Sequence, residues 1–283
     1  MGLARTVYRG TNFLLGKVGL ELLPMSRDYD ARLESQWALD AMFSRLGAEI
    51  EAWLSRQTLF DAQPFDVAEG LATLYAAYLD SPFRGKGGGS RFNNLAWLYA
   101  IARAYRPTVM IDSGTYLGAS AWALRQGSEA PLYSFDIDMS RIAQRVDATY
   151  VEADWTTHDF TGADLSRSLC YFDDHVDQAK RLLEAKATGC KLALFDDDFP
   201  VTGCVEMAHG GFAFPKVEFV MDETFRGQTS LDWHDGRQRQ SWPIDKAYLD
   251  AARATIAATE RLPNTSVITG IHQTPYRLVR LAD

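Results

Sequence analysis

Cysteine is scarce in this sequence: only Cys170, Cys190 and Cys204 occur among 283 residues, and none of them forms a CxxC motif. An odd number of cysteines without short paired spacing argues against a disulfide framework and against a cysteine zinc knuckle. Basic side chains are outnumbered by acidic ones, 29 to 37, which gives a formal charge of −8. This charge has the wrong sign for a protein that neutralises nucleic-acid phosphates. We therefore expect a protein of the reducing cytoplasm with no nucleic-acid partner.

No apolar run reaches the roughly 18 residues that a membrane-spanning helix needs. The segment 1–24 combines three basic residues with many leucines, but Lys17 and Glu21 interrupt it and no small-x-small cleavage site follows. A signal peptide and a transmembrane helix are therefore disfavoured. Two interpretations of the segment stay open: a helix docked on the core, or a peripheral contact with a membrane surface or a partner.

Three motifs of common enzyme classes are also missing from the sequence. It contains neither the G-x-G-x-x-G of a dinucleotide site nor the G-x-x-x-x-G-K-[ST] of a phosphate loop. The G-x-S-x-G elbow of an α/β-hydrolase does not occur either. The composition, 47% hydrophobic and 23% charged, is otherwise that of an ordinary globular protein.

The first part of the chain is predicted to be helical. Apolar residues recur on one face in three stretches, Asp30–Arg56, Phe65–Leu79 and Arg91–Tyr105. Between the second and third lies the stretch Ser81–Ser90, whose glycines and proline forbid regular structure. It is either a flexible connector or a loop that closes over a ligand. We expect an N-terminal helical segment, residues 1–90, followed by an α/β domain, residues 91–283.

From residue 109 onward the pattern changes to short apolar strands that end in carboxylates. The predicted strands are Val109–Asp112, Leu132–Asp138, Tyr150–Asp154, Leu169–Asp174 and Leu192–Asp198. The helix-like segments between them are Ser120–Gln126, Met139–Arg145 and Val176–Ala187. Apolar strands that alternate with helices indicate a parallel sheet covered on both faces. The carboxyl ends of such strands share one edge, and ligands of open α/β sheets bind there.

This edge would be strongly anionic. Its predicted carboxylates are those of Asp112, Asp136, Asp138, Asp154, Asp173, Asp196 and Asp197. They would repel a phosphate-rich cofactor and favour a cation. They suit the sulfonium and amino groups of S-adenosylmethionine, its ribose hydroxyls, and a hard divalent metal.

The motifs between Ser90 and Pro200 resemble those of class I S-adenosylmethionine-dependent methyltransferases, in particular the metal-dependent sugar O-methyltransferases similar to macrocin O-methyltransferase. The resemblance implies a Rossmann-like, mostly parallel sheet closed by an antiparallel C-terminal hairpin, seven strands in all. Gly189-Cys190 departs from the family's usual glycine pair before the fifth strand.

The resemblance also implies roles for individual residues. The stretch Asp112–Gly118, with Gly114, Thr115 and Tyr116, is similar to the motif that holds the methionine part of the cofactor. Asp136, in preference to Asp138, resembles the acid that binds the ribose. The segment that contains Asp154 and Trp155 resembles the one that flanks the adenine. Phe172–His175 and Phe195–Asp197 resemble the two metal-ligand segments.

The spacing of the acids supports a metal site independently. Asp173 and Asp196 lie 23 positions apart, the spacing of a minimal βαβ unit. On neighbouring strands about 4.8 Å apart their carboxylates could share one ion. Oxygen ligands favour magnesium, manganese or calcium over zinc. We predict Asp173, Asp196 and Asp197 as ligands, with the choice between Asp173 and Asp174 left open.

A metal-bound hydroxyl would lose its proton more easily, and a nearby side chain would accept that proton. Asp173 is the first choice for this base and His175 the second. For the acceptor pocket, the later part of the sequence offers His209, His234, Asp235, Trp233 and Trp242. The chain end predicts a helix at Asp245–Arg261, a strand at Ser266–Ile271 and a strand at Tyr276–Leu281.

The sequence therefore predicts a magnesium-assisted transfer of a methyl group from S-adenosylmethionine to a hydroxyl of a sugar or glycosylated small molecule. Two alternatives remain: a dinucleotide-dependent oxidoreductase on a similar sheet, and a non-catalytic binding or assembly subunit. The oligomeric state is open, and a homo-oligomer is one possibility.

Overall fold

The computed structural model describes residues 33–84, 86, 89–206, 214–234 and 238–283, together with residues 11, 14, 15 and 17. The strands are β1 (Val109–Ser113), β2 (Leu132–Asp136), β3 (Thr149–Glu152), β4 (Ser168–Phe172), β5 (Leu192–Phe195), β6 (Ser230–His234), β7 (Arg239–Pro243), β8 (Ile256–Arg261) and β9 (Arg277–Leu281). The helices are α1 (Gln36–Ser55), α2 (Val67–Leu79), α3 (Phe92–Tyr105), α4 (Ala119–Gly127), α5 (Gln178–Thr188), α6 (Val201–Glu206), α7 (Val217–Met221), α8 (Lys246–Ala254) and α9 (Ser266–Thr269).

Within this part of the chain, seven strands form one sheet in the order β3-β2-β1-β4-β5-β9-β8. The first five strands are parallel, and β9 runs antiparallel to both β5 and β8. Strands β1 and β4 are buried along their whole length, as expected for strands covered on both faces. The predicted α/β fold, with a mostly parallel sheet, antiparallel C-terminal strands and N-terminal helices, is confirmed.

Three predicted elements were wrong. The stretch Ile256–Arg261, predicted as the end of a helix, is strand β8, and the predicted strand Ser266–Ile271 is the short helix α9 followed by a loop. The predicted helix Met139–Arg145 is reduced to one 3-10 turn, Met139–Arg141. The segment 1–24 falls outside the described residues, except for residues 11, 14, 15 and 17.

Helices α1, α2 and α3 pack on one face of the sheet. Helix α3 is buried almost throughout, and the indole rings of Trp53 and Trp97 meet edge to face with their centroids 5.1 Å apart. A Cβ on Gly47 of α1 would lie 2.8 Å from the Cβ of Ala68 on α2, so the absence of a side chain allows the two helices to touch. None of the described helices is long and apolar enough to cross a membrane.

Two buried asparagines connect α3 to the segment between β8 and β9. The Nδ2 of Asn93 donates to the carbonyl oxygen of Ile271 at 2.6 Å, and the Nδ2 of Asn94 donates to Oγ1 of Thr274 at 2.7 Å. The hydroxyl of Thr274 donates in turn to Oδ1 of Asp196 at the end of β5. The helical layer therefore has a polar connection to the carboxyl edge of the sheet.

Candidate functional site

A cavity of about 450 Å³ opens at the carboxyl ends of the parallel strands. Its walls are formed by Ser113, Gly114, Tyr116, Phe135, Asp136, Ile137, Arg141, Ala153, Asp154, Asp173, Asp174, His175, Val176 and Arg181. Six of the twelve predicted site residues, and Asp174, are on this wall. The topology explains the convergence, because β1, β2, β3 and β4 are parallel neighbours and end at the same edge.

The turn after β1 requires glycine at its first position. Gly114 has a φ of +102°, and a Cβ at this residue would lie 2.5 Å from the carbonyl oxygen of Asp173. Its backbone is therefore exposed directly to the cavity, next to the end of β4. Gly118, with a φ of +86°, precedes α4, and a Cβ there would collide with the carbonyl oxygen of Gln144. Gly118 shapes the turn but does not line the cavity.

Asp136 ends β2 with its carboxylate at the cavity wall. Its Oδ2 accepts a hydrogen bond from the backbone N–H of Tyr116 at 2.7 Å, and its Oδ1 accepts one from the N–H of Asp138 at 3.0 Å. Each oxygen keeps one acceptor position. Asp138 is exposed, caps the following 3-10 turn and does not line the cavity.

Asp112 and Thr115, both predicted to bind the cofactor, do not reach the cavity wall. Both are buried beneath it, where the hydroxyl of Ser134 donates to Oδ2 of Asp112 at 2.7 Å and lies 2.5 Å from the hydroxyl of Thr115. Burial raises the pKa of Asp112 to about 6. Asp112 and Thr115 therefore contribute buried hydrogen bonds beneath the turn after β1.

Trp155 is a third predicted cofactor residue that the structure places elsewhere. Its side chain is fully buried in the core, 5.4 Å from the ring of Phe172 between centroids. The neighbouring Ala153 and Asp154 line the cavity instead. A 3-10 turn that begins at Trp155 directs this indole inwards, because a large apolar ring gains more from burial than from an exposed rim.

Arg181, which the sequence analysis missed, is the central cation of the site. Its side chain is only 2% exposed, and its Nη2 lies 2.7 Å from Oδ2 of Asp154 and 2.8 Å from Oδ2 of Asp174. Burial alone would raise the pKa of Asp154, but hydrogen bonds from Arg181 and Thr156 hold it well below its usual range. No sequence motif marks Arg181, because only the folded chain brings this residue of α5 into contact with Asp154 and Asp174.

Asp174 is occupied by structural partners. Besides Arg181, the hydroxyl of Ser113 donates to its Oδ2 at 2.5 Å. Arg181 forms no such ion pair with Asp173, whose carboxylate instead has an oxygen within 4.8 Å of a ligand atom of Asp197, after β5. Of the two neighbouring acids, the geometry favours Asp173 as the available carboxylate.

Asp173, His175 and Asp197 form a group of potential metal ligands. One ligand atom from each lies within 4.8 Å of the others. His175 and Asp197 both have left-handed backbone conformations, with φ of +56° and +55°. Such conformations are uncommon for residues other than glycine and occur often at functional sites.

The electrostatics of this group favour a cation. Burial, followed by the negative charges of Asp196 and Asp197, raises the pKa of Asp173 well above its usual range. Burial also raises the pKa of Asp197, although Lys216, His175 and His272 oppose the shift. A divalent ion among these groups would offset their mutual repulsion.

Asp196, predicted as a metal ligand, is not in this group. Its Oδ1 accepts hydrogen bonds from the hydroxyl of Thr274 and, at 2.6 Å, from the N–H of Asp197, while its Oδ2 accepts one from the hydroxyl of Tyr171 at 3.0 Å. Burial and the neighbouring Asp197 raise its pKa to about 7. The arrangement makes Asp196 a support for Asp197, whereas the sequence predicted two equivalent ligands.

The predicted acceptor residues that the structure describes, Trp233, His234 and Trp242, do not line the cavity. Trp233 and Trp242 pack against Phe214, with centroid distances of 5.8 and 5.4 Å, and His234 is exposed on β6. His209 and Asp235 lie outside the described residues.

The described end of the glycine-rich stretch lies close to the site. A Cβ on Gly89 would come within 3.3 Å of Leu117 in the turn after β1, and the hydroxyl of Ser90 is 3.4 Å from that of Tyr171. Gly85, Gly87 and Gly88 are outside the described residues.

No protein-family model matches the chain, and no curated protein matches it. Among solved structures, a methyltransferase of Podospora anserina with bound SAH is 16% identical with a TM-score of 0.42, covering 89% of this chain and 98% of that one. The O-methyltransferase TomG of Streptomyces achromogenes, in complex with SAM, is 12% identical with a TM-score of 0.44, covering 85% and 98%.

An O-methyltransferase of Bacillus cereus in complex with SAH is 11% identical with a TM-score of 0.42, covering 84% of this chain and 99% of that one. Likenesses with TM-scores below 0.5 carry no argument about this chain. The functional argument rests on the residues of the cavity.

Proposed function

We propose that this protein is an S-adenosylmethionine-dependent O-methyltransferase that acts on a hydroxyl of a sugar or glycosylated small molecule with the help of a divalent metal. The observation that carries the proposal is that Asp136 lines the same cavity as Asp173 and His175, whose ligand atoms lie within 4.8 Å of one from Asp197. Asp136 lies on the wall at the end of β2, and the group Asp173, His175 and Asp197 lies at the ends of β4 and β5. One group suits the ribose of a nucleoside and the other suits a hard ion.

The cofactor half of the proposal depends on Gly114, Asp136 and Asp154. The free acceptor positions on the carboxylate of Asp136 can accept hydrogen bonds from the two ribose hydroxyls. The bare backbone at Gly114 leaves room for the amino-acid end of the cofactor. Because the donor carries a sulfonium, the unpaired carboxylates of this edge also favour it electrostatically.

The metal half depends on a donor set that fits a hard or borderline divalent cation. Two carboxylates and one imidazole lie within 4.8 Å of one another, and burial makes both carboxylates unfavourable as bare charges. Asp173, His175 and Asp197 would hold the ion, with Asp196 orienting Asp197 through its N–H. When bound, the ion supplies Lewis acidity and a fixed position for the acceptor hydroxyl.

The remaining chemistry is the removal of one proton. A hydroxyl oxygen can attack the methyl carbon only as its proton leaves, so a base must lie within hydrogen-bond reach of it. Asp173 and His175 are the candidates on the cavity wall, and we retain Asp173 as the first choice. The sugar nature of the acceptor is supported by the resemblance of the motifs Phe172–His175 and Phe195–Asp197.

Direct binding and turnover measurements test this proposal. Calorimetry of the purified protein should detect binding of S-adenosylmethionine but no binding of NAD⁺. Methyl transfer to a panel of glycosides should require Mg²⁺ and should stop when a chelator is added. An Asp197→Asn variant should lose the Mg²⁺-dependent methyl transfer, whereas a variant of an exposed turn residue, Asp159→Asn, should keep it. Binding of NAD⁺ alone would favour an oxidoreductase, and no binding of either would favour a non-catalytic subunit.

We further propose a cytoplasmic protein, because Cys170, Cys190 and Cys204 are unpaired and buried. The interaction of residues 1–24 with a membrane surface or a partner is tested separately. Removal of this segment should abolish sedimentation with anionic vesicles while methyl transfer remains, if the segment serves as a peripheral contact. The oligomeric state is measured by light scattering on the same samples.

A further inference from the structure

Two tyrosine hydroxyls meet beside Asp196, on the face of the sheet that the N-terminal helices cover. Tyr171 lies in β4 and Tyr276 immediately before β9, and both side chains are fully buried. Their hydroxyl oxygens are 2.9 Å apart, and the hydroxyl of Tyr171 donates to Oδ2 of Asp196 at 3.0 Å. Because β4, β5 and β9 are neighbours in the sheet, only the fold brings these three residues together.

The direction of these hydrogen bonds follows from counting protons. Each hydroxyl has one proton to donate and can also accept. Since the proton of Tyr171 goes to the carboxylate of Asp196, the hydroxyl of Tyr276 donates to that of Tyr171. The hydroxyl of Ser90, 3.4 Å from that of Tyr171, can donate to the same oxygen. The result is a chain of hydrogen bonds with one direction, in which each bond polarises the next.

The remaining polar atoms of Asp196 are held as well. Its backbone N–H donates to the carbonyl oxygen of Phe172 at 3.0 Å, and its carbonyl oxygen accepts from Nε2 of Gln178 at 2.6 Å. Its Oδ1 accepts from the hydroxyl of Thr274 and from the N–H of Asp197. The residue is only 5% exposed. Protein groups therefore set the orientation of its carboxyl.

The orientation of Asp196 matters because it supports the backbone of Asp197. Successive side chains of an extended strand point to opposite faces of a sheet, so an unchanged continuation of β5 would direct these two carboxylates apart. Asp197 instead has a φ of +55°, and its N–H donates to Oδ1 of Asp196 at 2.6 Å. A left-handed conformation is unfavourable for a residue other than glycine unless its surroundings stabilise it. The bond to Asp196 therefore helps to hold Asp197 near Asp173 and His175.

We propose that Tyr171 and Tyr276 are positioning residues for the metal ligand Asp197, acting through the carboxyl of Asp196. Neither tyrosine lines the cavity or belongs to the group of potential ligands. Their hydroxyls fix the carboxyl of Asp196, and this carboxyl stabilises the left-handed conformation of Asp197. The inference rests on the metal-assisted function proposed above, and it assigns the role to the hydroxyls rather than to the rings.

Binding of Mn²⁺ to the full chain, without cofactor or acceptor, measures this role. In Tyr171→Phe the affinity should fall about 10-fold or more, because the loss of a residue that orients a metal ligand weakens binding by this amount. Tyr276→Phe removes a bond one step further away and should weaken binding about threefold. The electron paramagnetic resonance spectrum of bound Mn²⁺ should change in Tyr171→Phe.

The matched control is Tyr150→Phe. The hydroxyl of Tyr150 is also hydrogen-bonded, to the backbone N–H of Val146 at 2.9 Å, but it belongs to the edge strand β3. This variant should keep the affinity and the spectrum of the wild type. Circular dichroism shows which of the variants fold.

A second background tests whether Tyr171 acts through Asp196. Asp196→Ala should itself bind Mn²⁺ about 10-fold more weakly than the wild type. Adding Tyr171→Phe to it should weaken binding by less than about twofold further, because the two changes remove the same support. A general loss of packing at Tyr171 would instead have its full effect in both backgrounds.

The outcomes separate this inference from the proposed function. If the wild type binds no Mn²⁺, the proposed metal assistance fails and the inference fails with it. If the wild type binds Mn²⁺ and a folded Tyr171→Phe protein binds it equally well, or is weakened to the same extent with and without Asp196, only the inference is overturned. Should Tyr171→Phe not fold, an unchanged affinity in Tyr276→Phe would overturn it.

Discussion

The backbone N–H of Tyr116 donates a hydrogen bond to Oδ2 of Asp136 at 2.7 Å. This bond joins the turn after β1 to the end of β2, and both residues line the cavity. It also orients the carboxylate of Asp136 before any ligand arrives. A preorganised acceptor of this kind lowers the cost of ordering on binding.

The close approach at Gly114 predicts a severe effect of a single methyl group. In Gly114→Ala the new Cβ would meet the carbonyl oxygen of Asp173 at 2.5 Å, in a backbone conformation that already disfavours alanine. We expect a loss of stability of roughly 3 kcal/mol or more and no detectable binding of S-adenosylmethionine.

Gly162→Ala separates overcrowding from backbone strain. Gly162 has a φ of +94° but nothing within 4 Å of its Cβ position, so this variant should lose only about 1–2 kcal/mol and bind normally. Urea unfolding and calorimetry measure both variants. Equal losses in the two would show that the contact with Asp173 is unimportant.

Substitutions of Asp136 and of Asp138 should have different effects on the affinity for S-adenosylmethionine. Asp136→Asn should weaken binding of S-adenosylmethionine about 10- to 100-fold, because a charged acceptor for ribose hydroxyls is replaced by a neutral amide. Asp138→Asn should change it less than about threefold, since Asp138 is exposed and does not line the cavity. Calorimetry at constant ionic strength decides, and a larger effect at Asp138 would reverse the assignment.

The buried carboxyl of Asp112 predicts a pH dependence of stability. Its pKa is raised to about 6 from an unfolded value of 3.8, so the folded protein binds its proton more tightly than the unfolded chain. Stability from this group is present below about pH 4 and is lost as pH rises to 6, with a total of about 3 kcal/mol.

Asp112→Asn removes this titration. The difference in unfolding free energy between the variant and the wild type should therefore shift by about 3 kcal/mol in favour of the variant between pH 4 and pH 7. Denaturant titrations at several pH values provide the measurement. A difference that does not change with pH would mean that Asp112 stays ionised throughout.

The group Asp173, His175 and Asp197 predicts a stabilising effect of divalent cations without any substrate. Mn²⁺ or Mg²⁺ at about 100 times its dissociation constant should stabilise the wild type by about 2.7 kcal/mol, which raises Tm by roughly 5–10 °C. The shift should be absent in Asp197→Asn and preserved in Asp159→Asn. The same shift in all three proteins would place the ion elsewhere.

The strand ends were predictable because each combines a short apolar run with a terminal acid, a pattern that few other structures produce. The end of the chain was not, since Ile256–Arg261 contains helix-favouring alanines and becomes a strand only through pairing with β9. The β-branched stretch Ser266–Thr269 forms a helix instead, because Gly270 ends it at a φ of +72° and Gln273 accepts from Thr265 at 2.8 Å.

Within the site, the sequence predicted acids at the strand ends but not the partners of those acids. That Asp196 would bind Tyr171 and Thr274, while Asp197 turned towards Asp173, depends on one left-handed residue that no pattern announces. Arg181 was missed for a related reason: a long side chain reaches two loops separated by 20 residues in sequence, and only the folded chain brings these loops together.

The asparagines at the start of α3 make the helical layer inseparable from the closing strands. If that layer were exchanged for the one of another protein, the carbonyl of Ile271 and the hydroxyl of Thr274 would lose their donors, and Asp196 would lose its fixed neighbour. A recombinant chain therefore preserves the edge of β5 only when α3 and the segment between β8 and β9 come from the same parent.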